Sequence, residues 1–273
     1  MTVEAIPVSP AWLDLRERAD ALARSRELVS DLRPRLPAGG RLVIHDLGCG
    51  SGAMGRWLAP LLRGPQHWVL HDRDPDLLTV AAADQPGPVA DGSAVTVETR
   101  LDDVTRLGPD DLADATLITA SALLDLLTAD ELAGLMHACA AAGCPVLITL
   151  SVTGRVQCLP ADPLDSRIEA SFNAHQRRAT RRGRLLGPDA VEAAADGFRR
   201  RGAEVIVRPS PWRLGAADAG LAVEWLAGWV RAACEQEPSL AADAGPYRRR
   251  RLREARAGRL AVTVGHADLL VLP

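Results

Sequence analysis

A run of apolar residues that ends in an acid, followed by three alternating glycines, is the part of this sequence best suited to chemistry. Residues 43–45 lead into Asp46, and Gly48, Gly50 and Gly52 follow before a helical pattern begins. Glycine takes backbone angles that a Cβ forbids, and it lets a ligand approach the main chain closely. The free N–H groups at the next helix start favour a polar or anionic ligand group. The pattern therefore predicts a strand, a tight turn and a helix that together hold a nucleotide-like cofactor.

A second acid, Asp72, ends the next predicted strand, residues 68–72. It lies about 20 residues beyond the glycine turn, where an acid accepts hydrogen bonds from ribose hydroxyls. Asp74 and Pro75 then begin a helix, with Asp74 as the N-cap and Pro75 in the first turn. Asp74 has a structural role in this interpretation, and Asp72 is left free for the ligand.

The sequence from Asp46 to Gly52 resembles the first motif of the class I S-adenosylmethionine-dependent methyltransferases. In that family the acid lies near the methionine end of the cofactor, whereas a carboxylate at this place would repel a dinucleotide phosphate. Gly48, Gly50 and Ala53 also fit the dinucleotide fingerprint, so a NAD-dependent oxidoreductase is an alternative. Asp46 and a late closing strand favour the methyltransferase.

The resemblance implies that S-adenosylmethionine is the cofactor and that residues at the ends of the first four strands bind it. Asp72 would contact the ribose. Asp103, followed by Val104, matches the family position where an acid meets the adenine amino group, with Asp102 as the alternative. The complete predicted set at the strand ends is Asp46, Gly48, Cys49, Gly50, Gly52, Asp72, Arg73, Asp102, Asp103, Val104, Ala120 and Ser121.

The N-terminal residues 11–33 carry apolar residues at helical spacing, so we predict one helix that packs over the cofactor cleft. This helix contains Arg16, Arg18, Arg24 and Arg26. Because a guanidinium pairs with a carboxylate through two hydrogen bonds, one of these arginines is expected at the cofactor carboxylate. We select Arg16 and Arg26 for this role, and the alternative for each is a solvated helix face.

Methyl transfer from a sulfonium requires alignment, exclusion of water and, for some acceptors, a base. Two residues are candidates for that base, Asp125 beyond the fourth strand and His175 on the apolar face of a later helix. The alternatives are a helix-start carboxylate for Asp125 and a hydrogen-bonded core histidine for His175. The sequence lacks the paired acid and asparagine of the metal-dependent catechol type, so no metal is predicted.

The residues after the fourth predicted strand, 115–120, argue against one class of acceptor. Enzymes that methylate exocyclic amines of DNA or glutamine amides carry Asn/Asp-Pro-Pro-aromatic there, and this chain has Ser-Ala-Leu-Leu at 121–124. A net charge of −3 gives no general attraction to nucleic acid or to an anionic membrane. All 32 basic residues are arginine, and this composition bias lowers the weight of arginine clusters as functional evidence.

The cysteines and the N-terminus indicate a cytoplasmic protein. Five cysteines are an odd number, and none of them forms a C-x-x-C pair, so we expect reduced thiols. The N-terminus lacks a basic segment that leads into an apolar core, so no signal peptide is predicted. No apolar run approaches the ~20 residues of a membrane span, and we expect no membrane partner.

Seven predicted strands with intervening helices, a glycine turn after the first and a late returning strand are typical of a doubly wound α/β sheet. We therefore predict a single Rossmann-like methyltransferase domain, with a proline- and glycine-rich loop at 86–92. Its predicted parts are an N-terminal helical cap at 1–39, a cofactor-binding half at 40–151, a lid insertion at 152–187, and a C-terminal half at 188–273 with a helical insertion at 215–258. Within that last insertion we predict two helices, near 216–235 and 240–257, and Gly245-Pro246 is expected to break the second.

The sequence thus predicts transfer of a methyl group to an O, N or C nucleophile of a small molecule. Trp212, Trp225 and Trp229 are candidates for the walls of an aromatic substrate pocket, although core packing is the favoured explanation for them. Arginines at 177–184 are candidates for binding an acidic substrate, and the composition bias toward arginine lowers the weight of that interpretation. The main alternative is a methyltransferase-fold protein that binds the cofactor without methyl transfer, as a pericyclase or a regulator. An RNA methyltransferase is a weaker alternative. We expect no nucleic-acid partner, and a monomer or a homodimer.

Overall fold

An eight-stranded sheet forms the centre of the computed structural model, which describes residues 8–87, 89 and 91–273. Its strands are β1 Leu42–Leu47, β2 Gln66–Asp72, β3 Val95–Leu101, β4 Leu117–Ser121, β5 Val146–Leu159, β8 Glu204–Pro209, β9 Trp212–Leu214 and β10 Ala261–Leu272, and a separate hairpin has β6 Ala179–Thr180 and β7 Gly183–Arg184. The order in the sheet is β3-β2-β1-β4-β5-β10-β8, with the short β9 beside β10. Strands β1 to β5 are parallel, and β10 runs antiparallel to β5, β8 and β9.

Helices cover both faces of this sheet. They are α1 Pro10–Ala23, α2 Arg26–Leu32, α3 Ala53–Leu58, α4 Pro75–Ala83, α5 Ala129–Ala142, α6 Asp165–Gln176, α7 Ala190–Arg199, α8 Ala219–Gln236 and α9 Ala241–Arg256. Strand β1 shows how the two faces are filled: Ile44 packs with α2, α3 and α4, whereas Leu47 packs with α5 and α7. A parallel strand that is buried on both faces is expected to be largely apolar, as β1 is from Leu42 to Ile44, before His45 and Asp46.

The two longest strands, β5 and β10, extend beyond the rest of the sheet. They pair from Val146 opposite Val271 to Leu159 opposite Ala261. Their outer halves support a third apolar cluster made with α1, α6, α8, α9 and β9, in which Trp229 is a large buried side chain. This helical cap therefore stands at the end of the sheet where the parallel strands terminate.

The predicted doubly wound fold, with a returning antiparallel strand, is confirmed, and β9 is one strand more than predicted. Three boundaries differ. The predicted single helix at 11–33 is two helices that meet at Arg24-Ser25. The predicted insertion at 152–187 starts later, because β5 continues through Leu159. Helix α9 continues through Pro246, where the sequence predicted a break.

Two of the predictions concern residues outside the described part of the chain. In the loop predicted at 86–92, Pro88 and Ala90 are not described, and neither are residues 1–7, where no signal peptide was predicted. Within the described residues, no helix combines the length and the apolar character needed to cross a membrane.

Candidate cofactor and substrate site

The glycine turn between β1 and α3 has the backbone conformation that its sequence predicts. Gly48, Gly50 and Gly52 have φ angles of +67°, +55° and +84°. These left-handed values disfavour any residue with a Cβ. Leu13 of α1 packs on the turn, and a Cβ added to Gly50 would lie 3.1 Å from its Cδ1. The turn is therefore closely covered by α1.

Two buried charges beside the turn have unmet hydrogen-bonding capacity. Asp46, at the end of β1, is 1% exposed, and its Oδ1 accepts a hydrogen bond from Thr119 Oγ1 at 2.7 Å. Arg24, at the break between α1 and α2, is 3% exposed, and its Nη2 donates to Ser121 Oγ at 3.1 Å. Among the described residues, Asp46 Oδ2 and the Nε and Nη1 of Arg24 have no partner.

The electrostatics of this pair suit a ligand with two opposite charges. Burial raises the pKa of Asp46 to about 6, although the hydrogen bond from Thr119 and the charge of Arg24 oppose the rise. Burial also lowers the pKa of Arg24, and the charge of Asp20 partly offsets this effect. Buried charged groups with unmet hydrogen bonds are unfavourable by themselves. Because Arg24 and Asp46 line the same cleft, a ligand with a carboxylate and an ammonium would satisfy both.

The two arginines selected from the sequence are placed differently from Arg24. Arg16 lines the cleft, but its Nε donates to Asp20 Oδ2 at 2.9 Å and its guanidinium lies 4.9 Å above the ring of Trp212. Arg26 is exposed and does not line the cleft. The structure therefore gives the position expected of a carboxylate-binding arginine to Arg24, and the selection of Arg26 is corrected.

Asp72, at the end of β2, is fixed by the backbone around it. Its Oδ2 accepts a hydrogen bond from Gly50 N at 2.8 Å, and its Oδ1 accepts one from Asp74 N at 3.0 Å. Asp74 is the N-cap of α4, as predicted, and it accepts hydrogen bonds from the backbone N–H groups of Asp76 and Leu77. Since an ionised carboxylate has about four acceptor sites, Asp72 retains capacity for a ligand in the cleft that it lines.

Asp102 is held from behind by two buried histidines, which form a chain that ends at the exposed Asp114. Its Oδ2 lies 2.9 Å from His71 Nδ1, His71 Nε2 lies 3.0 Å from His45 Nδ1, and His45 Nε2 lies 3.0 Å from Asp114 Oδ1. Two neutral imidazoles supply only two N–H groups for these three contacts, so the third contact needs one more proton. Burial lowers the pKa of both His45 and His71, which opposes placing that proton on an imidazole.

The other predicted residues at strand ends divide between the cleft and the core. Asp103 accepts hydrogen bonds from Thr105 N and Oγ1, and both Asp103 and Val104 line the cleft. Ser121 also lines it. Ala120, the residue before it, is buried in the apolar cluster under α5 and does not line the cleft.

The sequence did not indicate two strained backbone positions and one buried acid that lie beside the cleft. Ala122 and Leu150 line the cleft with φ angles of +51° and +57°, which cost on the order of 1–3 kcal/mol each for residues with a Cβ. Asp268 of β10 accepts a hydrogen bond from Leu150 N at 2.8 Å and another from Ser25 N at 2.7 Å. Asp268 thus joins the strained part of β5 to the helix break that orients Arg24.

One cleft of about 420 Å³ lies at the carboxyl ends of the parallel strands, where open α/β sheets bind ligands. The predicted residues that line it are Arg16, Asp46, Gly48, Cys49, Gly50, Asp72, Arg73, Asp102, Asp103, Val104, Ser121 and Asp125. The predicted residues that do not line it are Arg26, Gly52, Ala120 and His175. Gly52 instead caps the start of α3.

The two candidate bases differ in position. Asp125 lines the cleft just beyond β4, and burial raises its pKa to about 6, although its own backbone N–H and nearby arginine charges oppose the rise. His175 faces α8 instead, where its Nε2 lies 3.2 Å from Glu235 Oε2. The structure therefore brings Asp125 to the cleft and does not bring His175 there.

Helix α6 contributes different residues from the one predicted. Phe172, Asn173 and Gln176 line the cleft. Asn173 Nδ2 donates a hydrogen bond to the carbonyl of Gly154 at 2.8 Å. Asn173 Oδ1 and Gln176 Oε1 are buried and have no partner in the described part of the chain. The helical spacing indicated an inward face of α6, but it did not show which residues of that face reach the cleft.

Aromatic side chains and a buried histidine complete this end of the cleft. Trp212 and Trp225 line it, and Trp229 stacks behind Trp225. Trp212 and Trp229 are both buried in the core cluster, so core packing applies to these two tryptophans. His266 of β10, which the sequence did not indicate, lies 5.2 Å from Trp212 between ring centroids. Burial lowers the pKa of His266 to about 3, and the charge of Arg16 adds to this effect, so the imidazole is neutral.

The cysteines and the acids form no metal site within the described residues. All five cysteines are free, and burial raises the pKa of Cys49, which lines the cleft. No group of three or more His, Cys, Asp or Glu side chains in that part of the chain is placed to hold a metal ion.

Comparison with solved structures places this arrangement in a known fold. The cyclopropane synthase MmaA2 from Mycobacterium tuberculosis is similar to the chain with a TM-score of 0.52 and 13% identity, over 97% of this chain and 95% of that one. The chain has the class I methyltransferase fold. At this identity the likeness concerns the fold alone.

Two further solved structures are less similar to the chain in three dimensions. A methyltransferase from Geobacter sulfurreducens in complex with S-adenosylhomocysteine has a TM-score of 0.43 and 14% identity, over 97% of this chain and 98% of that one. Magnesium protoporphyrin IX methyltransferase from Synechocystis PCC 6803, with the same bound product, has a TM-score of 0.45 and 15% identity, over 77% and 84%. No family model matches the sequence, and no curated protein matches it.

Proposed function

We propose that this protein is an S-adenosylmethionine-dependent methyltransferase that acts on a small molecule. The observation that carries the proposal is the pair formed by Arg24 and Asp46. Both side chains are buried, their charges are opposite, and each has unpaired polar atoms on the cleft beside the glycine turn. The methionine end of the cofactor is a zwitterion, so its carboxylate suits Arg24 and its ammonium suits Asp46.

The remaining residues at the strand ends fit the rest of the cofactor. Asp72 has free acceptor capacity for ribose hydroxyls, and Asp102 and Asp103 lie at the end of β3, where the family binds adenine. When bound, S-adenosylmethionine supplies an activated methyl group. The protein's own contribution is to align the acceptor, to exclude water with α1 and to accept a proton at Asp125.

Calorimetry with S-adenosylhomocysteine and NAD tests the cofactor assignment. We expect a dissociation constant near 1 μM for S-adenosylhomocysteine, about 8 kcal/mol of binding free energy, and no heat from NAD. Heat from NAD and none from S-adenosylhomocysteine would refute the assignment. A protein that binds S-adenosylmethionine and transfers its methyl group to no tested acceptor would instead support the non-transferring alternative.

A matched pair of variants tests the ribose contact. Asp72→Ala should weaken binding of S-adenosylhomocysteine by about 1.5–3 kcal/mol, because a charge-assisted hydrogen bond is lost. Asp74→Ala removes the cap of α4 at a residue that also borders the cleft. It should lower the free energy of unfolding by about 1 kcal/mol and leave the affinity nearly unchanged. Equal losses of affinity in both variants would show that Asp72 has no ligand role.

A further inference from the structure

The end of the cleft away from the glycine turn has walls made of aromatic side chains. The chain contains six tryptophans and two phenylalanines, and Trp12, Trp212, Trp225 and Phe172 all line this one cleft. Phe172 and Trp225 are only partly buried, so they present ring surface to it. Trp225 is held from behind by Trp229, with ring centroids 5.1 Å apart and an interplanar angle of 20°. Such walls favour a flat, apolar ring as the ligand.

Two unpaired amide oxygens lie on the same helix as Phe172. Asn173 Oδ1 and Gln176 Oε1 are buried without a partner in the described part of the chain. The orientation of the Asn173 amide is fixed, because its Nδ2 donates to the carbonyl of Gly154. Residues three apart on a helix have Cβ atoms about 5–6 Å apart. Since a carbonyl oxygen only accepts hydrogen bonds, a ligand that satisfies both oxygens must carry two donors.

Two arginines at this end are already paired and a third is exposed to solvent, which argues against an acidic ligand. Arg16 makes two hydrogen bonds to Asp20, and Arg182 donates to Glu131 Oε1 at 2.9 Å. Arg155 lines the rim and is exposed, so its charge is screened by water. The unmet capacity at this end is therefore uncharged, in contrast to the unmet charges beside the glycine turn. It includes the two amide oxygens and Nδ1 of His266, which also has no partner among the described residues.

We propose that Phe172, Asn173, Gln176 and Trp225 form an acceptor pocket for an uncharged aromatic molecule with two hydroxyl or amino groups, and that one of these groups receives the methyl. This inference rests on the proposed methyltransferase function. A lone pair of the hydroxyl or amine forms the new bond to the methyl carbon while the carbon–sulfur bond breaks and its electrons return to sulfur. The proton released by the nucleophile passes to the Asp125 carboxylate, which lines the same cleft.

Three probes of similar size distinguish the possible ligand classes: catechol, its dimethyl ether and benzoate. Catechol has two donors and no charge, the ether has the same ring without donors, and benzoate is acidic. Binding of each is measured calorimetrically on protein saturated with S-adenosylhomocysteine, and methyl transfer is measured by mass spectrometry with deuteromethyl S-adenosylmethionine. We expect catechol to bind about tenfold or more tightly than the other two, and to be methylated.

Variants of Gln176 test the role of the acceptor pocket. Gln176→Leu keeps a similar volume and removes the acceptor oxygen, so kcat/KM for catechol should fall about tenfold. Gln176→Glu keeps an acceptor oxygen and should retain most of the activity. Glu224→Ala is the control, because Glu224 is exposed on α8 next to Trp225 and does not line the cleft. The dissociation constant for S-adenosylhomocysteine should be unchanged in all three variants.

The outcomes separate this inference from the proposed function. Failure of S-adenosylhomocysteine to bind the wild-type protein would overturn the proposed function itself. Normal cofactor binding together with tighter binding of benzoate than of catechol, or with no binding of catechol, would overturn the acceptor pocket alone. Methylation of catechol by Gln176→Leu at the wild-type rate would also overturn the acceptor pocket alone.

Discussion

The two ends of the cleft are built in different ways. At the glycine turn, the functional groups stand at the ends of adjacent parallel strands, and the backbone itself fixes them, as when Gly50 N and Asp74 N hold the carboxylate of Asp72. At the acceptor pocket, the groups come from α6 and α8, which are far apart in the chain and are packed together on the outer halves of β5 and β10. The geometry at the glycine turn is set by the backbone path. The geometry of the acceptor pocket is set by side chains, which can be replaced without altering the sheet.

The polar atoms without hydrogen-bond partners also differ between the two ends of the cleft. Beside the glycine turn the unpaired atoms belong to a cation and an anion, Arg24 and Asp46. In the acceptor pocket they belong to neutral amides, Asn173 and Gln176. Opposite charges match a zwitterion, and amide oxygens match a neutral donor. If this division is correct, changes at one end should affect cofactor affinity, and changes at the other end should affect turnover.

The largest effect is expected for Asp125→Asn, which keeps the shape of the side chain and removes the base. Turnover should fall by about 10²–10⁴-fold, whereas the dissociation constant for S-adenosylhomocysteine should not change. Burial raises the pKa of Asp125 to about 6, and only the ionised carboxylate accepts a proton. The wild-type kcat/KM should therefore rise with pH up to about 6 and then level off. Steady-state rates across this range check the prediction, and a variant with full turnover would contradict it.

The next effect separates Arg24 from Arg26, which are two residues apart. Arg24→Met should weaken S-adenosylhomocysteine binding by about 1.5–3 kcal/mol, or about 10–100-fold, because hydrogen bonds from a buried guanidinium to a carboxylate are lost. Arg26→Met should leave the affinity unchanged, since Arg26 is exposed and outside the cleft. Calorimetry on both variants measures the difference. A loss of affinity in Arg26→Met alone would reverse the assignment made from the structure.

A smaller effect concerns the pH dependence of cofactor binding at Asp46. Burial raises the pKa of this carboxyl to about 6, and a bound ammonium favours its ionised form. Binding at a pH near 6 should therefore release protons, and affinity should fall by up to about tenfold per pH unit below that value. Calorimetry in two buffers of different ionisation enthalpy measures the release. Proton uptake, or binding that tightens as pH falls, would contradict the ammonium contact.

The smallest effect is expected for His175→Ala. His175 is near Glu235 on α8 and does not line the cleft. Burial together with the charge of Arg178 lowers the pKa of His175, so its imidazole carries little positive charge near neutral pH to attract Glu235. The free energy of unfolding should change by less than about 1 kcal/mol, with turnover within about twofold of the wild type. Thermal unfolding and steady-state rates check both values. A large loss of turnover would move the base from Asp125 to His175.

The sequence predicted most of the residues that line the cleft beside the glycine turn, because the sequence signals for them are local. An acid before three glycines, an acid at the next strand end and an N-cap with proline each determine the backbone within a few residues. Arg24 shows the limit of this reasoning. A continuous helix from 11 to 33 gives Arg24 no special position. In the structure α1 ends at Ala23, and Ser25 caps α2 and donates its backbone N–H to Asp268. That break turns the preceding arginine inward.

The acceptor pocket was less predictable, because its residues come together only when elements far apart in the sequence pack against each other. Helical spacing predicted that His175 lies on the inward, apolar face of α6, either as a core histidine or facing the substrate. The structure uses Asn173 and Gln176 instead, since α8 packs against part of that face and covers His175. His266 reaches the cleft because β10 returns antiparallel beside β5. No short sequence pattern near these residues shows which of them meet.

A crystal structure of the protein with S-adenosylhomocysteine bound would show which groups hold the two ends of the ligand's amino acid. We expect the ligand carboxylate to accept hydrogen bonds from Nε and Nη1 of Arg24. The ligand ammonium should donate to Oδ2 of Asp46, with each donor and acceptor about 2.7–3.2 Å apart. A ligand whose carboxylate is bound by another arginine, or whose ammonium is distant from Asp46, would contradict the central claim.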